Sequence, residues 1–482
     1  MIARLLIAVV AASLGACTAG PDYVRPAAEA PAAYKEGFDW KPAQPRDDTR
    51  RGNWWAAFSD PQLDALMARV GISNQTLLAA EAQFRQAVAL SESARAGWFP
   101  TVTGTVSETR SRPSATTGPI SGVATSTRTI RSLPLSASWE ADLWGKIRRS
   151  VEAGEAAAQA SAADLENTRL SIQAQVAQNY FQLRGIDAQK KLLDTAVAAY
   201  VKSLELTSNR YAAGVVPKSD VAQAETQLKS TQAQAVELGV QRALLEHAIA
   251  ILVGRPPSGF GIEAAPLAAV PPPVPIGIPA ELLERRPDIA AAERRVAAAN
   301  AQIGVAQSAF FPSATLSATY GVQSATASQW FTLPSRFWSV GPALAETLFD
   351  GGRRRAASDQ AIAAYDASVA NYRETVLTAF REVEDNLATL RILAQEAQLQ
   401  AEAVTAAQRS LEYSINQYKA GIVTYLQVVT AQATVLSNQR GAADILTRRA
   451  TASVQLVKAL GGGWDAADLP AAGNLAGRPA AK

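Results

Sequence analysis

Asn209-Arg210-Tyr211-Ala212-Ala213-Gly214-Val215-Val216 returns about 207 residues later as Asn416-Gln417-Tyr418-Lys419-Ala420-Gly421-Ile422-Val423. Leu183-Arg184 answers Leu390-Arg391 and Leu252-Val253-Gly254 answers Ala459-Leu460-Gly461; Trp98-Phe99-Pro100 answers Phe310-Phe311-Pro312 at a similar spacing. Each copy repeats one order of parts: a helical pattern, short alternating segments, a very long helical pattern, a Tyr-x-x-Gly turn and a further helix. A duplicated unit of this size implies a quasi-symmetric wall rather than a globule built around a single active site.

On either side of the quoted turns the pattern is helical without a break. The long helices are expected over about 145–213 and 352–420, each a rod of roughly 100 Å. Gly154 and Gly185 weaken the first by about 1 kcal/mol each. The following helices, about 218–253 and 424–460, carry heptad seams. Val221, Ala224, Leu228, Thr231, Ala235, Leu238, Arg242, Leu245, Ile249 and Leu252 form one, with Thr231 and Arg242 as its polar breaks. Its counterpart runs from Val428 to Ala459 and again carries Arg, at Arg449. A second seam through Leu426, Val429, Ala433, Leu436, Ala443, Ala450 and Val457 implies neighbours on both sides, as in a cylinder of helices. A plain bundle or coiled-coil rod stays open on periodicity alone.

Upstream of each rod the period changes to two. Val102, Gly104 and Val106 alternate with threonines, and Leu133, Leu135, Ala137 and Trp139 alternate with Ser132, Ser136 and Ser138. The second copy offers Leu316, Ala318, Tyr320 and Val322, then Trp338, Val340, Pro342 and Leu344. This predicts two hairpins, about 101–140 and 313–348, whose strands of about ten residues match tilted membrane strands. Small soluble hairpins would show the same alternation. Four strands cannot close a membrane barrel, because the smallest have about eight. If they span a bilayer, the chain must oligomerise, and a trimer would supply twelve.

Residues 1–16 read as an export signal: Arg4, then a short apolar run from Leu5 to Leu14, then small residues. Leu14-Gly15-Ala16-Cys17 resembles a bacterial lipobox, which makes Cys17 the expected site of lipid attachment, and Thr18 after it points to the outer membrane rather than the inner. Cys17 is the only cysteine, so no disulfide forms within the chain. Residues 17–59 read as a lipidated tether, 60–254 and 280–464 as the two repeats, 255–279 as a Pro-rich linker lying across the rods, and 465–482 as a flexible tail.

The composition is 48% apolar and 18% charged, with a formal net charge of +3 and no basic stripe, which excludes nucleic acid as a partner. One histidine, His247, and one cysteine exclude a zinc or Cys-His site. No metal site, catalytic residue or cofactor beyond the lipid on Cys17 is expected. Gly461-Gly462-Gly463 follows a helix end rather than opening one, so it is no phosphate cradle. Glu382, Glu384 and Asp385 read as a solvated helix stretch.

Five stretches then carry a resemblance. They are Trp54-Trp55 with Phe58, Asp60-Pro61 and Leu63; Trp139-Glu140 with Asp142-Leu143-Trp144-Gly145; Arg210 to Val216 with Asp220-Val221; Glu284-Arg285-Arg286-Pro287-Asp288-Ile289 with Ala292-Glu293-Arg294-Arg295; and Phe311-Pro312. In this order, inside a duplication, they resemble the bacterial outer-membrane efflux factors, in the lipoprotein branch that includes nodulation-type proteins. The resemblance implies a mainly α chain with a small β part: a duplicated long-helix α-barrel plus four strands that complete a transmembrane β-barrel on trimerisation. It implies a homotrimer that receives small molecules, such as drugs, toxic compounds or metals, from an inner-membrane pump through a periplasmic adaptor and performs no chemistry. A type I protein-secretion channel and a pore-less periplasmic coiled-coil lipoprotein are the competing readings.

By the same resemblance the Tyr-x-x-Gly turns form a periplasmic tip that closes the channel. Asp220 and Tyr418 fall on an acidic and an aromatic position of that closure. Gln427 and Thr430 stand where many relatives carry acidic residues, which weakens an acidic ring and makes them a hydrogen-bonding rim. Lys218, Arg210 or Lys419 is the expected base for Asp220, and the alternative role for Asp220 is to cap the helix that starts there. Tyr211, Gly214, Val215, Gly421 and Ile422 are the expected adaptor contacts.

Overall fold

A computed structural model describes residues 18–36, 53–112, 114, 126–267 and 282–471. The signal segment, Cys17 and parts of the tether, first loop, linker and tail lie outside these residues. Helix α1 (Pro61–Ser73) starts where side-chain chemistry dictates: Asp60 accepts from the N–H groups of Gln62 and Leu63, and Pro61 takes the first helical position. Asn74 ends α1 and starts α2 (Gln75–Arg95), accepting from Leu77 N–H at 2.8 Å while its amide donates to the Leu252 carbonyl.

The first hairpin contains β1 (Thr101–Gly104), β2 (Ser107–Ser111) and β3 (Arg128–Ala141). The single first strand expected from the alternation is therefore two segments. Gly104 faces Leu135 and Ser107 faces Ser132, so the register never slips and the break is a gap in the ladder. Thr105 lies against Pro134, which accepts its N–H but has none to return. The second hairpin, β4 (Ser313–Ser324) and β5 (Arg336–Ala345), joins the first through β3 and β4. The described strands thus form one antiparallel sheet in the order β1-β3-β4-β5, with β2 continuing the β1 edge.

The rods are α3 (Lys146–Ala212) and α7 (Arg353–Lys419), 67 residues each. Gly145 and Gly352 precede them with φ of 79° and 92°, turning strand into helix where a side chain would be strained. Helix α6 (Pro287–Ser308) follows the four-residue α5 (Leu282–Arg285) and packs between the two rods. Helix α4 (Lys218–Leu252) lies along α3, and α8 (Tyr425–Ala459) packs on both α7 and α3. Gly185, expected as a weak point of α3, is a point of close approach: a Cβ there would overlap the Thr447 side chain of α8. No described helix is long and apolar enough to cross a membrane.

The seams bury as their period requires. Ala224, Leu228, Thr231, Ala235, Leu238 and Ile249 are buried on α4, and Val428, Ala431, Val435, Ile445, Ala452, Leu456 and Ala459 on α8. Of the second α8 seam, Leu436 and Ala450 are buried while Leu426 is exposed. Thr231 turns its hydroxyl onto the Gln227 carbonyl. Arg242 leaves its seam to bond Asp187 at 2.8 Å and the Ile262 carbonyl at 2.6 Å, whereas Arg449 makes no ion pair among the described residues.

Residues 18–36 are extended but docked, not a free tether. Arg149, buried on α3, bonds the Ala19 carbonyl, Asp22 and Glu152. Tyr23 donates to Glu293, and Tyr34 is buried against Val376 and its neighbours. The N–H groups of Lys35 and Glu36 meet Glu384, and Glu382 bonds Arg286. Glu382 and Glu384 are therefore holding groups rather than solvated ones. A charge on a helix surface reads as solvated until a distant segment lands on it. The described part of the linker does lie on the rods, with Ala265 N–H on Asp187 and Leu267 N–H on the Arg184 carbonyl.

Candidate functional site: sheet wall and helical tip

Strand register sorts the sheet into two chemically different faces. On one, Val102, Ala137, Ala318 and Val340 align, as do Gly104, Leu135, Tyr320 and Trp338. The larger of these side chains, Val102, Leu135, Tyr320, Trp338 and Val340, are open; Trp338 is 73% exposed and Val340 62%. On the other face Thr103, Ser136, Thr319 and Ser339 form one rank and Thr101, Ser138, Ser317 and Gly341 the next. Ser136 and Thr319 share a hydrogen bond at 3.3 Å. Neither rank contains an ionisable group. An apolar band backed by small hydroxyls suits lipid on one side and water on the other.

Aromatic side chains mark both ends of that band. Near the rods Trp144 stacks on Phe311 at 4.9 Å and donates to the Pro312 carbonyl, and Trp139 donates to the Trp98 carbonyl. The repeated Trp98-Phe99-Pro100 and Phe310-Phe311-Pro312 motifs thus meet at one level. At the far end Trp330 and Phe331 lie in the β4–β5 loop.

At the other end of the rods, Gly214 and Gly421 take φ of 71° and 75°. The N–H groups of Val215 and Ile422 reach back to the Arg210 and Gln417 carbonyls, closing each helix end. Tyr211, Val215 and Ile422 are left exposed, Ile422 at 73%. Both turns therefore offer apolar tips to solvent.

Behind them sits a small core built on Ala224, Tyr418, Tyr425 and Val428. The two tyrosine rings are 5.3 Å apart, Tyr425 shares a 2.9 Å hydrogen bond with Ser203, and Arg210 lies 4.7 Å over the Tyr418 ring while donating to its carbonyl. Asp220 is buried beside them in the first turn of α4. Burial and then the Asp220 charge raise the Tyr418 phenol above its ordinary value, with Arg210 opposing. Burial does the same for Tyr425.

The tip thus brings together Asp220, Tyr418 and Arg210, with Arg210 spent on the tyrosine. The N-cap of α4 is Pro217, so Asp220 is not the cap; its charge lies in the first turn, where the helix dipole favours it. Gln427 and Thr430 lie on the exposed face of α8, where Thr430 donates to the Leu426 carbonyl, and Lys218 and Lys419 are likewise exposed. Tyr425, Ser203 and Thr207 are additions to the expected set; the Tyr418-x₆-Tyr425 spacing across the turn was the available signal. His247 is exposed on α4, and no metal-holding group of acidic, histidine or cysteine residues occurs among the described residues.

A family model described as outer membrane efflux protein matches residues 67–255 and 278–462. The chain is 32% identical over 455 residues to the pyoverdine export outer membrane protein OpmQ of Pseudomonas aeruginosa, covering 94% of this chain and 95% of the relative. It is 31% identical to the probable efflux pump outer membrane protein TtgC of Pseudomonas putida, covering 95% of each. Among solved structures, the outer-membrane channel OprN superposes with a TM-score of 0.86 at 32% identity, covering 93% of this chain and all of that one. The outer membrane protein VceC of Vibrio cholerae gives 0.80 at 29% identity, over 86% of this chain and 99% of its own.

Proposed function

The chain belongs to the outer membrane efflux protein family, and on that premise we propose that three copies form a duct that passively conducts small molecules out of the cell. It is an outer-membrane efflux channel and not an enzyme. The observation that carries the trimer is the sheet: apolar on one face, hydroxyl-lined on the other, and unpaired among the described residues along β5 and along the β1/β2 edge. A bilayer does not tolerate open strand edges, so the sheet must close with other copies. Three copies supply twelve strands, above the minimum of about eight.

In this reading an inner-membrane pump supplies cargo and energy, and a periplasmic adaptor meets Tyr211, Gly214, Val215, Gly421 and Ile422. A lipid on Cys17 anchors the chain. Supporting that reading, the Ala19 N–H, two residues after Cys17, donates to the Trp144 carbonyl at the level of the aromatic girdle. Closure of the tip rests on Asp220, Tyr418 and Arg210, with Gln427 and Thr430 as the wet rim.

Conductance in planar bilayers tests the reading. Purified protein should migrate as a heat-modifiable trimer and conduct in small steps, and Asp220→Ala and Tyr418→Ala should raise mean conductance several-fold. A protein with neither trimer nor conductance would remove the channel; two variants that behave as wild type would move the gate elsewhere. Photocrosslinkers at residues 215 and 422 that never capture an adaptor would remove the docking assignment.

A further inference from the structure

The end of the sheet away from the rods is strongly basic. Residues 107–132 and 322–336 hold five arginines, no lysine and one carboxylate, Glu108. Register sorts them between the two faces. Arg131 stands opposite Ser324 and Arg336 opposite Val322, so both continue the apolar face that carries Leu133 and Trp338. Arg110 faces Thr129 and Glu108 faces Arg131, which puts these two on the same face. Arg128, opposite Ser111, falls on the hydroxyl face. Arg110 and Arg336 are exposed, and Arg131 is half-buried.

Height and chemistry then narrow the partner. Arg336 lies eight residues along β5 from Leu344, roughly 27 Å of strand. With strand tilt, that places it at the edge of an outward apolar band of about 25 Å. Trp330 and Phe331, in the loop before β5, mark the same level. A charge on the lipid face costs most at the midplane and little near the interface, where headgroups begin. Any polar residue would be tolerated there, yet the cations are all arginine, whose planar fork matches phosphate through two parallel hydrogen bonds. Arg131 gives its Nε to Glu108 at 2.8 Å, whereas Arg110 and Arg336 make no ion pair among the described residues. One carboxylate leaves at least two of the three guanidiniums unmatched, whichever it bonds. Small Ser324 and Val322 on β4 separate Arg131 from Arg336 by two strand spacings, roughly 10 Å. Two long side chains can reach one group lying on that shelf.

We propose that Arg110, Arg131 and Arg336 hold the phosphate groups of lipopolysaccharide in the outer leaflet. This rests on the sheet being the membrane wall, with its far end at the cell surface. Lipid A carries two phosphomonoesters on one disaccharide, a spaced pair of anions that a row of guanidiniums matches. Phosphatidylglycerol brings a single phosphodiester and matches only part of the row.

Native mass spectrometry of the full-length protein in detergent tests it, with bisphosphorylated lipid A as the probe. Dephosphorylated lipid A and phosphatidylglycerol are the comparisons. Lipid A should be retained saturably, up to three per trimer, and about tenfold more tightly than either comparison. Arg131→Gln combined with Arg336→Gln should lower that affinity about tenfold, while Arg128→Gln, on the opposite face, should leave it unchanged. Glu108→Gln frees Arg131 and should raise the affinity, a readout that holds even where the arginine pair is needed for assembly. Equal retention of phosphatidylglycerol or of dephosphorylated lipid A overturns the proposal. So does a loss in Arg128→Gln as large as in the double variant, or no gain in Glu108→Gln. A chain that never forms the heat-modifiable trimer fails the channel reading, whereas a trimer that retains no lipid A fails this proposal alone.

Discussion

Arg184 and Arg391 stand at equivalent positions in the two repeats, and each clasps the segment that leads into the other repeat. Arg184 on α3 donates to the Glu263 carbonyl at 2.6 Å, in the linker that precedes the second repeat. Arg391 on α7 bonds Glu36 at 2.6 Å, in the segment that precedes the first. The repeats are thus interlocked by exchange rather than merely stacked. The two clasps differ in depth: the Arg184–Asp187 side chains are 5% exposed, the Arg391–Glu36 pair 35% and 21%.

That difference predicts unequal costs. Arg184→Ala leaves Asp187 buried with only Arg242 and one backbone donor, and should cost about 3 kcal/mol. Arg391→Ala breaks a partly exposed pair worth less than about 1 kcal/mol. Thermal dissociation of the assembled protein should fall by many degrees in the first and barely in the second. Equal shifts would refute the distinction.

Much of this architecture was legible because it is periodic. The rods, the buried seams and the two faces of the sheet follow from spacings of 3.6, seven and two, and the glycines that start the rods stand where strand must turn to helix. The docked lead-in was not legible. Its Pro, Ala and charged residues carry no period, and its partners Arg149, Glu293 and Glu384 are far away in sequence. At the tip, Asp220 and Tyr418 lie together, each beside one of the two turns. Gln427 and Thr430 do not join them, since on α8 they fall on the face opposite the buried Tyr425 and Val428.

Two glycines of the helical wall should respond in opposite ways to the same change. Gly239 on α4 has open space where a Cβ would go, so Gly239→Ala should stabilise by up to about 1 kcal/mol. Gly185→Ala gains the same helix propensity but drives its methyl into Thr447, and should destabilise. Adding Thr447→Ala should recover part of that loss in a double-mutant cycle. Additive effects of the two substitutions would show that α3 and α8 do not touch there.

The tip should loosen in alkali. Tyr418 has a phenol raised above the ordinary value of about 10, so its neutral form is favoured in the folded tip. Stability from such a group is complete below the unfolded value and is lost as pH rises through the folded one. The facing groups are Asp220 from α4, Arg210 and Thr207 from α3, and Tyr425 from α8. Conductance should therefore climb above pH of about 10, and Tyr418→Phe, which keeps the ring under Arg210, should flatten much of the rise. A rise of unchanged size in Tyr418→Phe would place the sensor in another group.

The hydroxyl ranks of the sheet predict how the duct sorts its cargo. Thr103, Ser136, Thr319 and Ser339 present dipoles that reorient toward either sign of charge, and none carries a charge of its own. The nearest ionisable groups among the described residues lie beyond these ranks: Glu140, paired with Lys146, on the rod side, and toward the far end Arg336 and Arg131, the latter paired with Glu108, both of which belong by register to the apolar face. Pairing and orientation away from the hydroxyl face cut much of their field there, and salt screens the rest within about 8 Å. Across this segment small cations and anions should pass with similar ease, so a salt gradient should give a reversal potential near zero. Ser136→Asp would put three carboxylates in one rank of a trimer and should turn the segment cation-selective, whereas Thr319→Lys should favour anions. Strong wild-type selectivity unmoved by either substitution would mean that the tip, not the barrel, sets the preference.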